Sequence, residues 1–335
     1  MSNVARPINI GLLLLPAFNS LALNAFVDPF RAANYLRGRQ LYRWQFLSLD
    51  GQQVTASNGF VVGETQHYAD LTDAVDFLVV NASWTPENFQ DRALQSWLRR
   101  QSQYNLSLVG MDTGAFVLAF AGLMNGYRTV VHYEHLDSFR ELFPKTHIEE
   151  SLYVIDRDRL TCSGGIAAAD LALEIIRLQQ GMAVASAAAR YIFHERVRGG
   201  DEKQLSRTHE PIGYAIPEIL RAVLLLMEQH LEEPLRLPEL AQRAGISQRQ
   251  LERLFQQNIG LTPKRYYVNI RLSRARALLT QTELSIAEIA SACGFNSTEH
   301  FSRTYKSHFN IAPSQDRMEG RIPFQFRPFP GYAGL

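Results

Sequence analysis

The sequence predicts two domains of different class. The first is α/β, a parallel sheet covered by helices on both faces as a three-layer sandwich. The second is all-α. Three observations carry this. Short apolar, strand-like runs alternate with helical stretches up to about Gln180. Strand signals disappear beyond about Ile216. Within the second half, two segments repeat one another around a glycine.

In the first half, residues 8–15, 44–49, 75–81 and 106–111 read as buried strands, and residues 20–36 and 87–100 as helices between them. Ligands of such sheets bind at the carboxyl ends of the strands. A chain of 335 residues exceeds one ordinary core. Its 34 Lys and Arg nearly balance its 33 Asp and Glu, so charge for a polyanionic partner must be local. Cys162 and Cys293 lie far apart in apolar surroundings and read as reduced, buried thiols, which fits a cytoplasmic protein. The apolar run 10–15 is too short to span a bilayer and is followed by Pro16 rather than a cleavage site. No membrane association is expected.

Residues 190–211 change character, with Gly199, Gly200, many charges and Pro211. The chain therefore divides into a domain at 1–185, a linker at 186–215, a helical domain at 216–320 and a Pro-, Phe- and Gly-rich tail at 321–335 with no regular structure expected. The first helix after the linker, 217–231, places Leu220, Val223, Leu224, Met227 and Leu231 on one face, as core.

The repeat aligns residues 240–255 with 289–305. Ala241 matches Ala290 and Gly245 matches Gly294. With one extra residue in the second turn, Ser247 matches Ser297, Leu251 Phe301, Arg253 Arg303, Phe255 Tyr305 and Pro263 Pro313. Each copy is a short helix, a glycine turn in the left-handed region and a second helix. Ser247 with Gln250, and Ser285 with Glu288, form capping boxes. Leu251, Leu254 and Phe255 bury one stripe, while Gln248, Arg249, Glu252, Arg253 and Gln256 face away. The second copy offers Ser297, Thr298, Glu299, Ser302, Arg303 and Lys306 on that face. These side chains suit base edges and phosphates. Between the copies, Thr262 and Pro263 start a helix reaching about Leu279, with Val268, Leu272, Ala275 and Leu279 as its apolar face. Lys264, Arg265, Arg271, Arg274 and Arg276 concentrate positive charge on it. Its length, roughly 25 Å at 1.5 Å per residue, is comparable with one DNA turn of about 34 Å.

Residues 286–316, with Ile286-Ala-Glu-Ile-Ala-Ser-Ala-Cys-Gly-Phe295, Phe301-Ser-Arg-Thr-Tyr-Lys306, Phe309 and Pro313, resemble the signature of the AraC/XylS family of bacterial regulators. The resemblance covers about 216–318. It implies two helix-turn-helix subdomains joined by a long helix, binding double-stranded promoter DNA and usually activating transcription beside RNA polymerase.

In the first half, Gly110-Met-Asp-Thr-Gly114 follows a strand and opens a helix over 115–122, the strand–turn–helix pattern of a nucleophile elbow with Asp112 at the nucleophile position. With Phe26-Val-Asp-Pro-Phe-Arg-Ala-Ala-Asn34, Val130-Val-His-Tyr133, Cys162-Ser-Gly-Gly165 and Asp170, this half resembles the class I glutamine amidotransferase-like, or PfpI-like, fold found in a subgroup of AraC-type regulators. The enzymes of that fold carry cysteine where this chain has Asp112, and thiolate chemistry needs sulfur. Neither Cys162 nor Cys293 is expected to substitute. The resemblance implies an acid near the elbow, for which Asp28 is the candidate, and a downstream histidine, His132.

Three readings of Asp112 stay open: a cap on its helix, a sensor-pocket residue, and the nucleophile of a hydrolase. As a sensor, Asp112 with Asp28 favours a cationic effector, and Trp84, after a strand end, offers an aromatic face to an ammonium group. Thr113, Phe116 and His132 complete the candidate pocket. The resemblance implies control of catabolism of amino acids or quaternary amines such as betaines and carnitine. Alternatively, the first domain serves only for dimerisation, since sheets of this fold often pair. His132, Glu134 and His135 lack a third ligand at metal-binding spacing, so no metal is expected, and no cofactor.

Overall fold

The computed structural model describes residues 6–63, 65–194, 197–204 and 217–319. The chain forms two units that divide after Gln204.

The first unit runs β1 (Ile8–Leu14), α1 (Ser20–Arg37), β2 (Tyr42–Ser48), a small hairpin of β3 (Val54–Thr55) and β4 (Val61–Val62), β5 (Gln66–His67), β6 (Phe77–Ala82), α2 (Arg92–Gln101), β7 (Ser107–Asp112) and α3 (Gly114–Phe120). It continues with β8 (Arg128–Thr129), α4 (Leu136–Leu142), β9 (His147–Ile148), β10 (Tyr153–Asp156), β11 (Arg159–Cys162), α5 (Ala167–Gln180) and α6 (Met182–Tyr191). Seven strands form one sheet in the order β10-β11-β7-β6-β1-β2-β5. Only β10 against β11 is antiparallel.

The central strands are apolar along most of their length because both faces are covered, with Asn81 and Asp112 as buried polar exceptions at the carboxyl ends of β6 and β7. Leu12, Leu14, Val79, Val109 and Met111 pack under α1, α5 and α6. Leu13, Leu15, Leu78, Val80 and Leu108 pack under α2, α3 and α4. The three-layer sandwich expected from strand–helix alternation is thus the fold of this unit.

Two local expectations are corrected and one hairpin was not foreseen. The stretch 87–100 is not one helix: a tight 3-10 turn occupies Pro86–Phe89, and α2 starts only at Arg92, where the Asp91 side chain accepts from Leu94 N–H. The short hairpin of β10 and β11 gave no periodicity to read, being two four-residue strands around Arg157 in the left-handed region. Much of the expected linker also belongs to the first unit. Alanine-rich α6 packs against α1 and α5 through Val184, Ala185, Ala188 and Ala189, and residues 197–204 fold back along the 150–153 segment. The rest of that linker, 205–216, and the tail at 321–335 lie outside the described residues.

The second unit is helical: α7 (Glu218–Gln229), α8 (Leu237–Arg243), α9 (Gln248–Asn258), α10 (Pro263–Gln281), α11 (Ile286–Ala292), α12 (Thr298–Phe309) and α13 (Pro313–Glu319). It holds two cores. Leu220, Val223, Leu224 and Met227 of α7 pack with Leu240, Leu251 and Phe255 in one. Ile289, Ala290, Cys293, Phe301 and Tyr305 form the other. The helix α10 belongs to both. Tyr266, Tyr267 and Ile270 enter the first core, and Leu272, Ala275, Leu278 and Leu279 the second. The single apolar stripe read from the sequence is therefore half of what α10 buries.

Candidate nucleic-acid interface and candidate effector site

The two matched copies fold as helix, turn and helix. Gly245 and Gly294 both adopt left-handed backbone, with φ of 68° and 69°. At Gly294 a side chain would also collide with Pro234 and with the Leu231 carbonyl, so only glycine fits. Both capping boxes are formed, Ser247 with Gln250 and Ser285 with Glu288. Thr262 caps α10 ahead of Pro263. Such caps contribute about 1 kcal/mol each. They fix where α9 and α10 begin, and so which residues face outward.

On α9, Leu251 and Phe255 are buried while Gln248, Arg249, Glu252, Arg253 and Gln256 are exposed. The Gln248 amide donates to Glu252 along the helix at 3.0 Å. On α12, Phe301 and Tyr305 are buried; Glu299, Arg303, Lys306 and the capping Ser297 are exposed, and Thr298 and Ser302 half-buried. Lys264 is exposed at the start of α10.

Arg271 requires a correction. Its guanidinium donates to the Cys293 carbonyl at 2.7 Å and the Gly294 carbonyl at 2.5 Å, and stacks over Phe295 at 4.2 Å. It closes the C-terminal carbonyls of α11 instead of presenting charge outward. Arg274 is half-buried. Arg276 pairs with Asp316 at 2.8 Å, which also accepts from the Tyr305 hydroxyl at 2.6 Å. Two of the five basic side chains of α10, Arg271 and Arg276, are thus engaged in holding the second copy together, while Lys264 and Arg265 stay exposed.

In the first unit, the elbow geometry is present. Gly110 and Gly114 are required by close approach: a Cβ at 110 would meet the Ala115 backbone at 2.8 Å, and one at 114 the Val80 carbonyl at 2.0 Å. Asp112 sits between them with φ of 58°. This strained conformation is the kind concentrated at functional sites.

Asp112 is 4% exposed at the carboxyl end of β7. It does not cap α3, whose N-cap is Thr113 with no side-chain cap bond. Its carboxylate instead accepts from the Asn19 amide at 2.8 Å, with Ser83 and the Thr113 backbone as further partners. Burial pushes the carboxyl up to about 6, against the lowering effect of Asn19, His135, Ser83 and Thr113. Thr113 donates its hydroxyl to the Ser83 carbonyl at 2.6 Å, fastening the elbow to the loop after β6. Gly164, with φ of 89°, lies against Asp112 so closely that a Cβ there would meet its Cβ at 2.8 Å.

The remaining candidates divide. Trp84 is half-buried and follows Ser83, the residue to whose carbonyl Thr113 is fastened. His132 caps the turn Tyr133–His135, with its Nδ1 accepting from Glu134 N–H at 3.4 Å and its ring stacked on Tyr133 at 4.3 Å. Burial lowers its pKa to about 4, so the imidazole is neutral at physiological pH. The buried His135 has its ring 6.2 Å from that of His132, and it lowers the Asp112 carboxyl electrostatically. One candidate is not at the site: Asp28 lies exposed on α1, paired with Arg31 at 2.8 Å, because it falls on the outer face of that helix. Phe116 is core, its ring packed edge-on against Phe139 at 4.8 Å, Phe143 at 5.9 Å and His135 at 5.8 Å.

The sequence reading missed Asn19, which caps α1 through Oδ1 and orients Asp112 through Nδ2. An asparagine directly before a helix start was the available signal. It also missed that Cys162 ends β11 opposite Met111, beside the elbow. Burial, with the Asp112 carboxylate adding to it, pushes that thiol up to about 12, which leaves the sulfur close but unreactive. Cys293 is likewise free and buried. Among the described residues no helix is long and apolar enough to cross a membrane.

Comparison with known proteins agrees with both halves. A family model described as a helix-turn-helix domain matches residues 240–319. The HTH-type transcriptional regulator GbdR of Pseudomonas aeruginosa is 41% identical over 93% of this chain and 84% of its own length. CdhR and ArgR of that species, also HTH-type transcriptional regulators, are 39% and 36% identical over 91% and 95% of this chain, and 90% and 95% of their own. Among solved structures, an AraC family transcriptional regulator from Pseudomonas putida is 27% identical, with a TM-score of 0.51 over 56% of this chain and all of its own. A ThiJ/PfpI family protein from Pseudomonas syringae shares the fold of the first unit at 17% identity, covering 58% of this chain and 78% of its own with a TM-score of 0.51. The paired helix-turn-helix copies, the elbow fold that precedes them and relatives matched along nearly the whole chain place this protein in the AraC family of DNA-binding transcriptional regulators, in the group with a PfpI-like amino-terminal domain.

Proposed function

We propose that the first unit senses a small amine-bearing effector at Asp112, and that the second unit answers by activating promoters beside RNA polymerase. The buried carboxylate of Asp112 carries this reading. It occupies the nucleophile position of an elbow, holds a strained backbone and lies next to a sulfur too deeply buried to react. Such an arrangement has kept the binding geometry of an enzyme site without its nucleophile, so we read the chain as a sensor and not a hydrolase. A carboxylate that titrates near 6 is anionic at physiological pH and favours a cation. Trp84, in the loop after β6, is the aromatic face proposed to receive the ammonium group. Target genes for catabolism of amino acids or quaternary amines fit such an effector, as do a cytoplasmic location and a homodimer.

The exposed faces of α9 and α12 are the proposed base-reading and phosphate-contacting surfaces: Gln248, Arg249, Glu252, Arg253 and Gln256 in one, Ser297, Thr298, Glu299, Ser302, Arg303 and Lys306 in the other. Lys264 joins them as a phosphate contact.

A thermal-shift screen of the purified protein against amino acids, polyamines, betaines and carnitine tests the sensor reading. A true effector at 100 times its dissociation constant adds about 2.7 kcal/mol to stability. Asp112→Ala should lose that shift and still bind DNA. An effector that stabilises wild type and Asp112→Ala equally overturns the site. Because the charged carboxylate is the receptor, affinity for a cation should fall up to tenfold per pH unit below about 6 and level off above it.

A further inference from the structure

The segment that leaves the first unit is held by two clasps of unequal strength. The upstream clasp is Asp170, fully buried on α5. It accepts from Arg198 through Nε at 3.0 Å, Nη2 at 2.7 Å and the backbone N–H at 2.9 Å, and pairs with His194 at 2.7 Å. Charge-assisted bonds of this kind are strong, and they fix Arg198 in place.

The downstream clasp is Gln204, the last described residue before the chain passes to the second unit. Gln204 is 8% exposed. Its amide donates to the Val131 carbonyl at 2.8 Å and the Ser151 carbonyl at 3.1 Å. Its Oε1 is buried with no hydrogen-bond donor among the described residues. Beside it the segment is attached by two backbone bonds, Leu152 N–H to Glu202 O and Gln204 N–H to Glu150 O, both 2.8 Å, with Gly200 lying against Tyr153. A buried amide satisfied on one side only is a weak fastener.

Val131 immediately precedes His132, and the turn that His132 caps carries His135 toward Asp112. The carbonyl that Gln204 grips is therefore one residue from the candidate effector site. We propose that Gln204 is the transmission contact of this regulator: a change at the Asp112 site shifts the Val131 carbonyl, releases the Gln204 clasp and frees the exit segment downstream of the Asp170 anchor. This rests on the reading of Asp112 as effector site. A bound cation neutralises the Asp112 carboxylate, and Asp112→Asn imitates that neutralisation without a ligand.

The test is a double-mutant cycle in the full-length protein, read as affinity for a duplex that the wild type selects from a random pool. Asp112→Asn is combined with Gln204→Met, which keeps length and cannot donate, and with Gln204→Glu, which keeps shape and cannot donate when ionised. Asp112→Asn is expected to change duplex affinity about fivefold or more in the wild-type background, within the usual range of allosteric coupling, and less than about twofold with either substitution at 204. An undiminished effect in both 204 variants overturns the transmission role and leaves the effector site standing. No effect of Asp112→Asn in the wild-type background overturns the effector site, and the transmission role with it. Should both 204 variants unfold, amide exchange at Leu152 and Gln204 decides: faster exchange in Asp112→Asn supports the release, and unchanged exchange overturns it.

Discussion

Asp112 shows what a single residue's surroundings can and cannot announce. Its place in the elbow was legible because Gly110 and Gly114 bracket it at fixed spacing, and each is demanded by a backbone approach that no side chain survives. Its partners were not legible. Asn19 lies 93 positions away in sequence and reaches it only because β1 and β7 flank β6 in the sheet. Asp28 looked suitable by type but falls on the wrong face of α1. The raised carboxyl has a measurable consequence. A folded pKa of about 6 against an ordinary 3.8 means that the folded protein holds the proton more tightly, so wild-type stability falls as pH rises through that window. Asp112→Asn carries no such charge. Its stability relative to wild type should improve by up to about 3 kcal/mol between pH 4 and pH 7, at 1.36 kcal/mol per unit. A difference that stays flat across that range in denaturant titrations would show the carboxyl to be unperturbed. Arginines of the second unit divide by the same kind of reasoning. Arg253→Ala and Arg303→Ala should weaken duplex binding, and each should lower the slope of log affinity against log salt by about one if it touches a phosphate. Arg271→Ala should instead lower the melting temperature and leave that slope intact, because its bonds are to the Cys293 and Gly294 carbonyls.

At the scale of elements, capping and close packing decide more than propensity does. The starts of α9, α10 and α11 were readable because serine, threonine and their partners sit at cap spacing, and those bonds are made. The end of the stretch 87–100 was readable and its start was not: Asp91 outcompetes the upstream residues by capping α2 from within it. The helix α3 depends on contact instead. Gly114→Ala would drive a methyl group into the Val80 carbonyl, and the first unit should lose at least about 3 kcal/mol, seen as a drop in its melting temperature. The repeat also diverges in an instructive way. Phe255 packs on Tyr266 at 5.5 Å in the first copy, whereas Tyr305 reaches Asp316 through its hydroxyl in the second. Tyr266 and Asp316 stand three residues after the matched Pro263 and Pro313. An apolar contact has been exchanged for a buried ionic one with Arg276. Removing one partner of such a pair costs about 3–5 kcal/mol, so Asp316→Ala should destabilise the second copy selectively. Amide exchange that rises around α12 and stays unchanged around α9 is the expected signature.

For the whole molecule, near-neutral overall charge means that attraction to DNA must come from local surfaces and not from a general field, and we propose those of α9, α12 and the start of α10. The two copies themselves were readable from the repeat. The extent of the first unit was not, because glycines and charges around 198–204 imitate a linker while Asp170 and the 150–153 segment hold them in place. Two helices were sufficient to show a repeat, but α10 proved to be a member of both cores rather than a tether between them. A shared helix of 19 residues, locked by aromatic and aliphatic contacts at each end, acts as a fixed gauge. Its two reading heads cannot be re-phased independently. One base pair inserted between the halves of an operator turns the second half by about 36° around the duplex axis, since a turn holds about 10 base pairs. This protein should lose most of its specific affinity for such an operator, and recover little of it when a second pair is added. The spacing of the two halves of an operator that it reads should therefore be constrained as strictly as their sequence.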